Sequence, residues 1–234
     1  MRRVLIGTPS YEGKDDVWYA HSLAQTVRLC AASGIDLREI FLAYDAIIQN
    51  CRNDILALAI RHNFDDLFFI DADQDWKPEW ITKLLSYPVD CVGAAVRKKS
   101  DQEELYNIRA PEGANSFYIH PNAPILSAKD MALGCGLLRL SRKAMRALWD
   151  NSEEYTGWPG KEPSRWVFDI RPVNGRLVGE DTMISEKLRQ HGIETWVDPH
   201  MTCGHTGVKK YTGNFAAWLA KQRTTELSGE LKWH

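Results

Sequence analysis

Asp71 and Asp73, two carboxylates one residue apart, directly follow the apolar run Leu67-Phe68-Phe69-Ile70. A tight turn at that point aims both carboxylates, or one of them and a water, at a single hard cation. Oxygen ligands of this kind suit Mg or Mn, which in turn bridge phosphate oxygens. A calcium loop does not fit, because it wants Gly at its sixth position and Glu at its twelfth, and here those are Trp76 and Thr82. Asp75 occupies the place of the Thr or Val of a D-x-D-x-T/V phosphatase. A solvated acidic turn leading into a helix, with Pro78 in its first turn, accounts for the pair without chemistry, and for an isolated D-x-D it is the commoner case.

Other residues carry reactive types with plainer accounts beside them. Glu180 and Asp181 open a helix, where the backbone dipole alone favours carboxylates. His205 is equally a loop histidine bonded to backbone, and His62 reads as a helix-end histidine. Cys203 lies near His205, but zinc needs more soft ligands than the chain gathers there. The guanidinium fork of Arg52 fits phosphate, and Asn53 suits a helix cap. Trp158 and Trp166 suit stacking on a sugar or a base, with packing the commoner use.

These residues need a frame. The run 67–70 suits a parallel strand buried on both faces, so that Asp71 and Asp73 fall at the carboxyl edge, where open α/β sheets bind ligands. Before it, residues 4–7 read as a strand ending in Thr8-Pro9-Ser10, and 37–43 as a second. The spacing of Val17, Ala20, Ala24, Val27 and Ala31 predicts a helix over 16–33 with that apolar face and Gly34 as its cap. Another helix is predicted over 52–62. Beyond the central strand come a helix at 79–86 and a buried strand at 90–96. Short strand-like pieces at 105–108 and 116–119 suggest a hairpin on the sheet edge. Gly134-Cys135-Gly136 marks a bulge or the close approach of a ligand, and Ser141 caps a helix running to Trp149. Residues 151–165 lack an apolar period and read as a mobile loop of the lid type. A strand at 166–170, a helix from Glu180 with Met183, Ile184 and Leu188 inward, a strand at 193–197 and a surface helix at 214–222 complete the chain. Strands alternating with helices of these lengths indicate βαβ units.

The 234 residues suffice for one large α/β domain, and the net charge of -2 gives no global case for nucleic acid or an anionic membrane. The chain opens on a strand without a signal-peptide h-region, and no stretch is apolar for long enough to span a bilayer. Five scattered cysteines, none in a C-x-x-C pair, point to a reduced, cytoplasmic protein.

The order of these motifs resembles the GT-A glycosyltransferases, especially small family-2-like enzymes of phages and bacteria. The matching parts are Gly7-Thr8-Pro9-Ser10; Cys51-Arg52-Asn53 at the head of the second helix; Asp71-Ala72-Asp73; Val92-Gly93-Ala94-Ala95-Val96 with Lys98 behind it; Gly134-Cys135-Gly136; Phe168-Asp169; Gly179-Glu180-Asp181; and Val197-Asp198-Pro199 with His205-Thr206-Gly207. They cover about residues 3 to 207. The chain departs from the pattern in having no Pro at 96–98, and residues 101–124 match nothing in it.

The resemblance implies an α/β GT-A (Rossmann-like) fold: a mostly parallel central sheet flanked by helices, with a small antiparallel edge hairpin. It implies one domain over 1–234, with a nucleotide-binding half at about 1–100, an acceptor half at about 101–210 and a C-terminal helix at about 213–225. It further implies a hexosyl- or pentosyltransferase that moves a sugar from a nucleotide-sugar donor, UDP-sugar favoured, to an acceptor hydroxyl with inversion. Thr8, Pro9, Tyr11, Arg52, Asp71, Ala72 and Asp73 would contact the donor; Asp71, Asp73 and His205 would hold Mn2+ or Mg2+; Asp181 would be the base, with Glu180 holding the acceptor or supporting the metal shell. The acceptor is open among a glycan, a lipid-linked sugar, a protein and a hydroxymethylpyrimidine of phage DNA. Lys209, Lys210, Lys221 and Arg223, interleaved with Tyr211 and Trp218, form either a basic-aromatic patch for DNA or a membrane surface, or a solvated helix face. Two rival functions stand beside this one. A nucleotidyltransferase acting on sugar phosphates would release pyrophosphate, and residues 7–14 are a loose version of its phosphate loop. The other is a non-catalytic nucleotide-sugar-binding protein.

Overall fold

The computed structural model describes residues 1–156, 162–173 and 175–228. The chain begins with β1 (Arg3–Ser10), α1 (Val17–Ala32), β2 (Asp36–Ala43), α2 (Ile48–Arg61) and β3 (Asp66–Ile70). Then come β4 (Gln74–Asp75), α3 (Glu79–Ser86) and β5 (Cys91–Val96). Short strands follow: β6 (Ile108–Arg109), β7 (Tyr118–Ile119), β8 (Leu126–Ser127) and β9 (Ala132–Leu133). The rest is β10 (Leu137–Ser141), α4 (Arg142–Asp150), β11 (Glu154–Tyr155), β12 (Ser164–Arg165), β13 (Arg171–Val173), β14 (Arg176–Val178), α5 (Glu180–Gln190), β15 (Thr195–Thr206), β16 (Lys210–Tyr211) and α6 (Phe215–Ser228).

The main sheet runs β2-β1-β3-β10-β5-β15-β8-β7. β1 pairs in parallel with β2 and β3, and β5 with β15. β10 is inserted antiparallel between β3 and β5. The expected mixed sheet, mostly parallel and flanked by helices, is therefore present. Its edge hairpin joins β7 to β8, while the 105–108 stretch contributes β6, which pairs with β9 instead.

The central strands read as predicted because both faces are covered. Leu67, Phe68, Phe69 and Ile70 are fully buried, alternating between the two cores on either side of the sheet. A buried ion-pair knot locks the inserted strand: Asp66 accepts from Arg139 of β10 at 2.7 Å and from Arg2 at 2.6 Å.

Four expectations need correction. First, α1 has the predicted span, with Asp16 as its cap, but turns its other side inward. Its buried residues are Tyr19, Ser22, Thr26 and Cys30, whereas Val17 and Val27 are exposed. The polar buried groups find partners across the interface: Trp76 Nε1 donates to Thr26 Oγ1, and Trp76 N to Ser22 Oγ. Second, α2 starts at Ile48, ahead of the predicted 52, because the Asp45 carboxylate accepts from Ile47 N and turns the chain early. Asn53 is therefore inside the helix and does not cap it. Third, residues 166–170 are not a strand. Asn53 Oδ1 accepts from Val167 N at 3.0 Å and Phe168 N at 2.9 Å, so a side chain replaces the ladder. Fourth, α6 is not merely a surface helix, since Phe215 and Leu219 are buried. The ends of the predicted loop at 151–165 pair as β11 and β12, while Trp158 lies outside the described residues.

Candidate functional site

β3 delivers its carboxylates at the carboxyl edge. Asp71 N donates to Gly136 O, and Gln74 N returns to Asp71 O at 3.1 Å, closing a turn over Asp71-Ala72-Asp73. The turn is tied on both flanks: Asp16 N donates to Ala72 O, and Thr206 N to Asp73 O at 2.8 Å. This last bond registers the far end of β15 against the turn, and β4 pairs with β15 through Gln74 and His205.

His205 reaches the corner because β15 is long and bent. A register shift between Asp198 and Thr202 interrupts its pairing with β5. Fully buried Asp198 anchors the bend, accepting from Tyr87 Oη at 2.6 Å and Lys83 Nζ at 3.0 Å.

The two aspartates separate. Asp71 Oδ1 accepts from Arg52 Nη2 at 2.9 Å, and Arg52 Nη1 donates to Glu180 Oε1 at 2.5 Å. Arg52 is only 4% exposed. Burial alone would lower its pKa, but Asp71 and Glu180 hold it above the ordinary value. Arg52 is thus a strut between the β3 edge and the start of α5. Asp73 instead meets Lys99 Nζ at 2.6 Å and His205 Nε2 at 3.3 Å, both on Oδ2, while Gln74 Nε2 donates to Oδ1. Burial raises the Asp73 carboxyl, and hydrogen bonds from His205 and Lys99 outweigh it, holding it well below the carboxylate range.

Of the three residues expected to hold a metal, Asp73 and His205 meet, and Asp71 turns to Arg52. Among the described residues no three His, Cys, Asp or Glu side chains gather as a metal site. The pair itself suits a cation. His205 Nδ1 lies 2.8 Å from the Arg97 carbonyl, which only accepts, so Nδ1 carries the proton. With Nδ1 donating to that carbonyl, the contact with Asp73 Oδ2 needs a proton on Nε2 as well; a cation between the two groups would take the place of that proton on a ring oriented by backbone. Gln74 Oε1 and Thr206 Oγ1, on residues bonded to Asp73, are buried without a partner. Mg and similar hard cations are commonly held by one or two carboxylates with substrate phosphates completing the shell, and an imidazole beside the carboxylate shifts the preference toward transition metals. Asp73 and His205 fit such a role, while Asp71 Oδ1 is taken up by Arg52.

Asp181 Oδ1 accepts from Thr182 N at 2.7 Å, at the start of α5. It lines a cavity of about 680 Å3 together with Tyr106, Arg109, Phe117 and Trp218. Buried Cys135 lies among the charged groups of the site. Burial pushes its thiol up, Arg52 pulls it down, and Asp181, Asp71 and Glu180 push it up again.

The end of the first strand turns its side chains inward. Thr8 is fully buried with its hydroxyl 2.5 Å from Tyr19 Oη, and Pro9 is buried too, so neither side chain is open to a ligand. Tyr11 is exposed on the turn beyond. The open space there, about 210 Å3, is lined by Ser10, Gly13, Lys14, Asp15, Phe41 and Ala43. Three of the C-terminal cations are engaged within the chain. Lys209 pairs with Asp101, Lys210 with Asp75, and Arg223 donates to the carbonyls of Ala114 and Phe117. Lys99 was missed in the sequence, where only its doublet with Lys98 behind β5 hints at it.

No family model matches this sequence. No curated protein matches it either. Among solved structures, A197 from STIV is similar in fold, with a TM-score of 0.50 and 13% identity over 88% of this chain and 86% of that one. A glycosyltransferase involved in the glycosylation of the major capsid of PBCV-1 aligns at a TM-score of 0.35 and 11% identity, over 62% of this chain and 63% of that one. The first likeness shows a shared fold; the second is too distant to carry an argument. No helix of the described residues is long and apolar enough to cross a membrane.

Proposed function

We propose that this chain is a glycosyltransferase that moves a sugar from a nucleoside-diphosphate sugar, UDP-sugar favoured, to an acceptor hydroxyl. One observation carries the reading. The Arg52 strut holds residues 71–73 and 180–181 at one sheet edge, with Asp73 facing His205 on one side and Asp181 facing an open cavity on the other.

Asp181 accepts the proton of the acceptor hydroxyl as its oxygen forms a bond to the anomeric carbon. The bond from that carbon to the diphosphate oxygen breaks, and its electron pair leaves with the diphosphate. A single displacement of this kind inverts the anomeric carbon. Aspartate is a weak base, so positioning supplies much of the acceleration. Arg52 fixes Glu180, and through it the first turn of α5, which sets the place of Asp181. Lys99, 37% exposed and paired with Asp73 at 2.6 Å, would supply a cation to a phosphate bound at this corner. A divalent cation bound by Asp73 and His205 would add positive charge for the departing diphosphate.

Calorimetry and heat denaturation test the reading. UDP should bind, and Mn should raise the midpoint further when UDP is present. Asp73→Asn and His205→Gln should remove the Mn-dependent increment. Asp181→Asn should leave UDP binding intact and slow donor turnover by about 100-fold or more. Failure of UDP, GDP and CDP alike to bind refutes the donor site, and release of pyrophosphate assigns the chain to the nucleotidyltransferases.

A further inference from the structure

The Asp73 corner and the cavity are linked by adjacent residues on two segments. Lys99 meets Asp73, while its neighbour Lys98 lines the cavity. Glu180 meets Arg52, while its neighbour Asp181 lines the cavity. A one-residue step on two different segments thus crosses from one to the other. The cavity wall and the Asp73 corner therefore share backbone at 98–99 and at 180–181.

The cavity is built to hold its shape. Buried Tyr106 and Phe215 pack edge to face at 5.2 Å, and Trp218 stacks on Phe215 at 5.8 Å and 23°. Half-buried Phe117 meets Phe215 at 6.3 Å. The far wall is braced by Arg223, which donates to Ala114 O and Phe117 O at 3.0 Å each. Asn107 Oδ1, accepting from Val96 N at 2.8 Å, ties the near wall to β5. A volume of about 680 Å3 is within the range of small-ligand sites, which pair apolar walls with a few polar groups.

The charges on that wall are unbalanced in one direction. Asp181 is the acidic residue among the lining groups, and Lys98 and Arg109 are the cationic ones. Both cations are exposed, and among the described residues neither has a carboxylate partner. This contrasts with Lys209, Lys210 and Arg223, each of which is engaged. An aromatic floor holds the face of a ring, a lone carboxylate receives a hydroxyl, and two unpaired cations suit an anion such as phosphate.

We infer that the cavity is the acceptor site and that its ligand is a hydroxyl-bearing ring carrying a phosphate group, recognised by Lys98 and Arg109. This inference rests on the transferase reading for the role of Asp181, but not for the binding itself. The ring comes either from a sugar phosphate or from a hydroxymethylated nucleotide; the chemistry they share is the phosphate ester.

Ligand-observed NMR and calorimetry on the full chain compare four probes: glucose 1-phosphate and glucose, 5-hydroxymethyl-dCMP and its nucleoside. One phosphate ester should bind at least ~10-fold more tightly than its phosphate-free counterpart, and Lys98→Gln with Arg109→Gln should erase the difference. Which ester binds identifies the source of the ring. UDP affinity should be unchanged in that double variant, whose side chains are exposed and leave the fold intact. Equal binding with and without phosphate, or no binding of any probe, overturns the inference. Loss of UDP affinity in the double variant also overturns it, since the cavity would then be the donor site. Phosphate-dependent binding to a chain that takes no nucleoside diphosphate would sustain the pocket and refute the transferase.

Discussion

Arg52→Met is the sharpest test of how the site is held. The substitution keeps most of the aliphatic stem and removes the guanidinium that joins Asp71 to Glu180. Removing one partner of a buried ion pair costs about 3–5 kcal/mol, because the remaining charge is uncompensated. Arg52 is 4% exposed, but Asp71 is 31% and Glu180 14% exposed, so water relieves part of the penalty. The expected loss is about 2–4 kcal/mol, or a fall of roughly 5–15 °C in Tm for a chain of this size. Urea unfolding followed by circular dichroism and tryptophan fluorescence reads it as a lower midpoint with an unchanged slope. The triple variant Arg52→Met, Asp71→Asn, Glu180→Gln should recover at least half the loss, since no unpaired charge remains. The strut is refuted if Arg52→Met costs less than about 0.5 kcal/mol, or if the two carboxamide changes cost as much in the Arg52→Met background as they do with the arginine in place.

Three further outcomes are expected. Asn53→Ala strips two buried amides of their acceptor and should cost about 2–4 kcal/mol, with faster hydrogen exchange at Val167 and Phe168; slow exchange there would show that Asn53 is dispensable. Gly204→Ala should lower stability by about 1–3 kcal/mol, because a Cβ at that position runs into the Asp75 carboxylate that Lys210 pairs with; an unchanged Tm would contradict that contact. Burial raises the Glu194 carboxyl, so the fold disfavours its charged form. The penalty is present above the folded-state pKa and vanishes below the ordinary value of about 4.3, so Glu194→Gln should raise Tm at pH 7 and have no effect at pH 3.

Much of the fold was legible because it rests on apolar runs. Residues 67–70 and 91–96 are buried on both faces, as their composition requires. The helix at 180–190 was readable from Met183, Ile184 and Leu188 and from the acidic first turn. What was misread rests on polar groups whose partners lie far away in sequence. The inward face of α1 is made by Tyr19, Ser22 and Thr26, and only Thr8 and Trp76 explain why hydroxyls are tolerated there. The false strand at 166–170 has the same origin, since Asn53 is 114 positions from Val167. In the site, the pairing of Asp73 with His205 followed from motif order. The departure of Asp71 to Arg52 did not, because both aspartates carry the same group and only the chain path decides which cation each meets.

The insertion of β10 has a consequence for how the molecule comes into being. Its strand belongs to the later half of the polypeptide, yet it lies between β3 and β5 of the earlier half. A ribosome that has released residues 1–100 has produced two strands whose facing edges still lack their partner. Those edges stay bare until the stretch around Leu137 to Ser141 emerges. A fragment cut near residue 100 should therefore aggregate rather than persist as a folded unit, and assembly should wait on the arrival of a segment roughly forty residues further along.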